Sequence, residues 1–300
     1  MIGNHKIEVS VMTKAQLEYV LDSKISFDKI IIEEKLFLSG DIDLLVSKLK
    51  GTSLEVYVAL PYIMRKEENS DPAKETIDLL CGNSKWSSLI KGVLVRNIEE
   101  LGLLNDINYA NTIYADYGMY AWNTMARIKL SEIGCDEFAL PFELNFHEIK
   151  DLLGSQSANN LTSTICIYGN IPMMISANCL NKTGMGTCSG PLGTQNQGIN
   201  KLTDRKEHTL PVTYECKYCY NIIWNYCKLS LHNQLKEIFE TRNAYGDYLT
   251  LRMDFTTESS KECINTLNFW AELLNTKYGE RKITPPYNEF TTGHFKRGVE

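Results

Sequence analysis

No stretch of this chain approaches the roughly eighteen consecutive apolar residues that read as a membrane-crossing helix. The opening residues, MIGNHKIEVSVMTKAQ, lack the charged lead, apolar centre and cleavage site of a secretory leader. Together these absences predict a cytoplasmic protein with no membrane partner. In a reducing compartment the nine cysteines are not expected to form a disulfide framework, which leaves packing, metal binding or redox chemistry. A basic surplus is missing too. The net charge is -6, so no global field draws nucleic acid, although a local basic patch stays open. There is no internal repeat and no low-complexity tract.

Two catalytic signatures are also absent. No G-x-S-x-G elbow occurs. The stretch HEIKD (His147 to Asp151) begins like a zinc-protease helix, but Asp151 stands where the second histidine must be. Two imidazoles one turn apart are therefore excluded there. Ser176 has no histidine near it in the sequence.

What is present is ordinary globular material, 43% apolar and 23% charged, long enough to bury a full core without staples. Short apolar runs recur with helical segments between them. They are Lys6 to Met12, Lys29 to Glu33, Leu54 to Leu60, Gly92 to Asn97, Thr112 to Tyr117, Glu137 to Pro141, Ser163 to Gly169 and Leu249 to Thr256. Helical spacing of Ile42, Leu45 and Leu49 ends at Gly51, and a long helix is expected over Met119 to Gly134. Eight strands alternating with helices predict an α/β fold, a TIM-like (β/α)8 barrel, with a doubly wound open sheet as the alternative. Residues 1–170 would hold the first seven βα units and 171–248 a cysteine-bearing insertion. Residues 249–300 would complete the one domain with the last strand, a helix and a tail. In a barrel that insertion caps the face where strand C-termini point.

The insertion holds Cys179, Cys188, Cys216, Cys219 and Cys227. Two thiolates two residues apart on a tight turn can reach one metal, and four suit either zinc or an iron–sulfur cluster. The plain alternative is that they are buried small hydrophobes, as Cys81, Cys135, Cys166 and Cys263 are expected to be. The fourth ligand is open, with Cys227 able to replace a member of the pair and Cys166 on the seventh strand. Tyr214, Tyr218, Tyr220, Trp224 and Tyr226 would stack a ring or, more simply, pack around the site.

Barrel logic adds polar residues near strand C-termini: Glu33, Arg96, Asp116, Glu143, Arg252 and Asp254. Arginines and carboxylates facing one cleft would suit a small anionic substrate. Structural ion pairs are the competing reading. Arg252 and Asp254 share parity, so a mutual pair is expected.

Several segments, in order, resemble peptidase family U32, the collagenase-like protease group. They are GVLVRNIEEL, ALPFELNFHEI, YGNIPMMISANC, LTDRKEHTLPV, CKYCYNIIWN, LRMDFTTE and the closing TTGHFKRGVE. The resemblance implies a TIM-like barrel and a 4Fe-4S cluster on four cysteines, which places iron–sulfur ahead of zinc. It also implies that the chain ends with the family's closing motif. In the family signature Gly169 and Cys179 keep their places. Thr164 replaces a glutamate, Cys166 a phenylalanine, Pro172 a cysteine and Ala177 a glycine. Proline cannot bind iron, so the expected ligands are Cys179, Cys188, Cys216 and, as substitute, Cys219. Glu143 with Asn145 matches the family's ELN segment and joins Arg96, Asp116 and Arg252 as the catalytic candidates. The family includes iron–sulfur proteins of oxygen-independent hydroxylation, in ubiquinone synthesis or on RNA bases. The implied activity is hydroxylation or a related modification of RNA or a small aromatic. A collagenase-like peptidase and a non-catalytic cluster or zinc subunit working with a protein partner are the alternatives.

Overall fold

Each of the eight apolar runs forms a strand. The computed structural model describes residues 6–23, 25–40, 42–65, 72–81, 85–155, 161–186, 200–245, 248–275 and 283–299. Strand β1 (Ile7–Val11) is followed by helix α1 (Lys14–Asp22), and β2 (Lys29–Glu33) by α2 (Glu34–Ser39) and α3 (Asp43–Ser47). Then come β3 (Glu55–Ala59), α4 (Pro72–Leu80), β4 (Ile90–Val95), α5 (Ile98–Asp106), β5 (Thr112–Ala115), α6 (Thr124–Glu132), β6 (Glu137–Ala139), α7 (Phe146–Gly154) and β7 (Thr162–Gly169). The chain now leaves the barrel. It forms β8 (Pro172–Ser176), α8 (Leu180–Met185), β9 (Asn200–Thr203), β10 (Thr209–Glu215), β11 (Tyr220–Trp224), β12 (Lys228–Ser230) and α9 (Leu235–Tyr245). It returns as β13 (Leu249–Phe255), α10 (Ser260–Asn275) and a short β14 (Phe290–Thr291).

Strands β1 to β7 pair in order and in parallel, β13 pairs with β1, and β13 also pairs with β7. The sheet therefore closes on itself as an eight-stranded parallel barrel, and the open-sheet alternative is excluded. Ile7, Val9, Val11, Ile30, Ile32, Val56 and Val58 face outward into the main core under the helices. The opposite parity faces the lumen, where Ile31, Tyr57, Ala59, Leu94, Tyr114 and Ala139 form a separate apolar plug. The plug leaves a polar layer at each end.

The lower layer is a buried cluster. Lys29 pairs with Glu8 and Glu137 beneath the rings of Tyr57 and Tyr114. Glu8 accepts from Tyr114 and Thr250. Thr164, at the signature's glutamate position, points its hydroxyl at the Glu8 carboxylate, 3.3 Å away. Gly92 is required here, since a Cβ would lie 2.4 Å from Tyr57 Cε1.

Within the excursion after β7, strands β8 to β11 build the cap, whereas Leu235 and Ile238 of α9 lie in the main barrel core. Strands β8, β11, β10 and β9 form an antiparallel sheet in that order, while β12 pairs antiparallel with β7. Tyr218, Tyr220, Ile222 and Trp224 lay one face of this sheet on Met12, with Tyr62, Ile63 and Met64 packed beside them. The polar stretch expected as loop or hairpin is a hairpin where it is described, β9 paired with β10. Residues 189–199 of it lie outside the described residues.

Three local expectations fail, the first for an identifiable reason. The long helix over Met119 to Gly134 starts at Thr124, because Tyr120 takes a left-handed turn and the Asn123 side chain caps Ala126 N–H. The helix through Ile42 to Leu49 is only Asp43–Ser47. Cys81 is exposed at the end of α4, whereas Cys135, Cys166 and Cys263 are buried as expected.

Candidate functional site

Five of the singled-out polar residues meet at the C-terminal end of the barrel. Glu33 closes β2, Arg96 and Asp116 directly follow β4 and β5, and Arg252 and Asp254 point inward from β13. Arg96 makes a two-pronged contact with Glu33, at 2.7 and 3.0 Å, and donates to Leu60 O at 2.7 Å. Its Nε reaches Asp116 Oδ2 at 3.3 Å. The other Asp116 oxygen accepts from Arg252 Nη2 at 2.8 Å, which also donates to Asp254 Oδ2 at 3.0 Å. Arg252 Nε and Asp254 Oδ1 face each other at 2.9 Å as an ion contact without hydrogen-bond geometry. Asp116 thus bridges two guanidiniums, and the expected Arg252–Asp254 pair is present.

All five are buried. Burial is the strongest single influence and works against both guanidiniums, but Glu33, Tyr62 and Asp116 together for Arg96, and Asp116 and Asp254 with their neighbours for Arg252, outweigh it and hold each above its ordinary pKa. Burial raises the Asp254 carboxyl, with Arg252 opposing. Three carboxylates face two guanidiniums in this group. Cys166 Sγ lies 3.6 Å from Asp254 Oδ2, so this thiol does face the barrel mouth. Tyr62 covers Arg96 at 4.3 Å, and its hydroxyl bonds that of Tyr117. Glu143 is not in this group. It sits half-buried in the turn after β6 and joins none of these ion pairs.

The cysteines lie above. Cys216 and Cys219 bracket the turn between β10 and β11, closed by a Cys219 N–H to Cys216 O bond of 3.3 Å. Cys219 takes a positive φ of 55° and is exposed, while Cys216 is half-buried. Cys179 caps α8 just beyond β8, whose last residue, Ser176, pairs with Asn221 beside that turn. Asn221 Nδ2 fixes this end by donating to Ser176 O and Asn178 O. Burial, with the Cys179 and Cys216 sulfurs close by, pushes the Tyr214 hydroxyl pKa up. Three of the four expected ligands therefore share one end of the cap sheet. Cys188 lies outside the described residues. Among the described residues no three His, Cys, Asp or Glu side chains form a metal-holding group. Cys227 is buried past the far end of β11, away from the pair.

Cys216 and Cys219, at three-residue separation on one tight turn, have the spacing of a thiolate pair, and Cys179 lies at the same end of the sheet without completing a group of three with them.

Sequence reasoning missed Glu34 and Lys35, which continue from Glu33. Glu34 is buried and accepts from Tyr218 Oη at 2.6 Å and from Thr76. Lys35 pairs with Glu215. Three consecutive residues thus grip Arg96, the middle of the cysteine turn and its first flank. The one signal was a charged triplet directly after an apolar strand. Elsewhere, Glu148 of HEIKD completes a capping box with Asn145, and Ser176 Oγ accepts from Asn178 N–H.

No helix among the described residues is long and apolar enough to cross a membrane. No family model matches the chain, and no curated protein matches it. Solved structures do. The U32 peptidase Mk0906 is 13% identical, covering 85% of this chain and 94% of its own, at a TM-score of 0.45. The C-terminal domain of a chitinase-designated protein of Desulfitobacterium hafniense is 13% identical over 91% and 99%, at 0.43. An aldolase-designated protein of Toxoplasma gondii, of the deoxyribose-phosphate type, is 11% identical over 87% and 93%, at 0.42. At these scores the likeness is a loose one of overall shape.

Proposed function

We propose that this chain is an iron–sulfur protein of the U32 type, with Cys179, Cys188, Cys216 and Cys219 as ligands of a 4Fe-4S cluster. Its activity is oxygen-independent hydroxylation, or a related modification, of RNA or a small aromatic substrate. The observation that carries the reading is the fastening of the Cys216–Cys219 turn to Glu34 and Lys35, which directly follow Glu33 of the buried charge network, with Cys179 at the same end of the cap sheet. When bound, such a cluster supplies one-electron transfer. The chain's own residues do the rest. The cap sheet excludes water from the mouth. Arg96 and Arg252 fix the carboxylates around it, and Asp254 accepts from the Cys166 thiol. The substrate class comes from the family resemblance.

A second reading has its own support. Both guanidiniums at the mouth are engaged by carboxylates of this chain, which favours a non-catalytic cluster or zinc subunit that serves a protein partner. The peptidase alternative gains nothing from HEIKD, whose glutamate is committed to a helix cap. Mass spectrometry of RNA and small aromatics from cells grown without oxygen separates the readings. Cells lacking this chain are expected to lack one hydroxylated species that returns with the wild-type gene. Identical profiles contradict the modification reading.

A further inference from the structure

From Glu215 to Tyr220 the sequence is Glu-Cys-Lys-Tyr-Cys-Tyr. The four residues that are not cysteine are each fastened by a side chain to the barrel side of the molecule. Glu215 pairs with Lys35. Lys217 Nζ lies 2.7 Å from Glu75 and 3.9 Å from Glu34. Tyr218 donates to Glu34. Tyr220 Oη accepts from Tyr62 N–H at 3.0 Å. Arg65 adds a bond of 3.0 Å to the Cys219 carbonyl. One buried carboxylate, Glu34, therefore contacts both residues that separate the two thiols, and it is itself held by Thr76 from α4.

A turn pinned at its centre and both flanks has lost its freedom before any metal arrives. Of its two remaining side chains, that of Cys216 is half-buried and that of Cys219 is exposed. Preorganised ligands bind more tightly, because less ordering entropy is lost on capture. Groups that hold ligands in this way typically matter about 10–100-fold in metal affinity.

We propose that Glu34 is a positioning residue for the Cys216–Cys219 thiol pair, setting the turn through Tyr218 and Lys217 so that both sulfurs face one metal. The inference rests on the metal-binding part of the reading above, and it assigns a role to a residue that never touches the metal.

The test uses the full, reduced chain without oxygen, with Co2+ alone as probe and thiolate-to-cobalt absorption as readout. Tyr218→Phe removes the hydroxyl contact while leaving the ring in place. Glu34→Gln keeps an acceptor, and Glu34→Ala removes it. The expected result is a Co2+ dissociation constant raised about tenfold in Tyr218→Phe and more in Glu34→Ala, with Glu34→Gln closer to wild type. Circular dichroism and melting identify any variant that has not folded. Co2+ affinities within twofold of wild type in folded Tyr218→Phe and Glu34→Ala overturn the proposal, as does a wild type that binds no Co2+. A wild type that binds Co2+ but takes up no iron and sulfide overturns the iron–sulfur reading alone, and Glu34 is still scored by cobalt.

Discussion

Arg252 on β13 and Asp116 at the end of β5 meet across the barrel mouth at 2.8 Å, each almost wholly removed from solvent. Removing one partner of such a pair leaves the other buried and uncompensated. Arg252→Met strands both Asp116 and Asp254. It is expected to lower stability by about 3–5 kcal/mol, read as the midpoint shift in urea denaturation. A loss below about 1 kcal/mol, the range of exposed pairs, contradicts this account of the mouth.

Glu100 on α5 carries a pH signature. Its Oε2 accepts the Arg96 N–H at 2.7 Å, and burial pushes its pKa up to about 8. Between an ordinary carboxylate value near 4.5 and about 8, the folded chain keeps a proton that the unfolded chain has lost. Stability from this group therefore falls as pH rises through that window and levels off above it. Glu100→Gln stays uncharged and accepts the same bond. Its melting temperature relative to wild type is expected to rise steadily from pH 5 to pH 8. A constant difference across that range counts against a buried, protonated Glu100.

Gly169 marks where the chain turns from barrel to cap. Its φ is +147°, and a Cβ there would lie 2.8 Å from both Asp254 Cβ and Asp254 O. Gly169→Ala is expected to destabilise by about 1–3 kcal/mol from backbone strain alone, with further loss from the clash. Thermal denaturation measures it, and a melting temperature unchanged from wild type refutes the close approach.

The barrel was legible because β-branched runs of the right length carry their own signal, down to the return of the chain at Leu249. Parity was legible too: it placed Arg252 and Asp254 on one face before any coordinates. The start of α6 was not, since apolar periodicity runs through Trp122 while the left-handed Tyr120 and the Asn123 cap decide the boundary. The junction at Glu34 and Lys35 was invisible for a different reason. Their partners, Tyr218 and Glu215, lie 184 and 180 positions away, and a charged triplet does not announce which distant turn it holds. Glu143 was chosen from a motif match, yet it stands apart from the network that Arg96, Asp116 and Arg252 build.

The cysteines divide by position. Cys216 and Cys219 flank one turn, whereas Cys227 is buried at the other end of β11. Cys227→Ser is expected to keep wild-type metal content after purification without oxygen, and Cys219→Ser to lose most of it. Equal losses from both would place Cys227 among the ligands.

Iron and acid-labile sulfide counted per chain in wild type and in the Cys216→Ser, Cys219→Ser double variant, both kept from oxygen throughout, test the metal centre most directly. The account predicts about four irons in the wild type and almost none in the variant. A wild type without iron, or a variant that retains it, contradicts it.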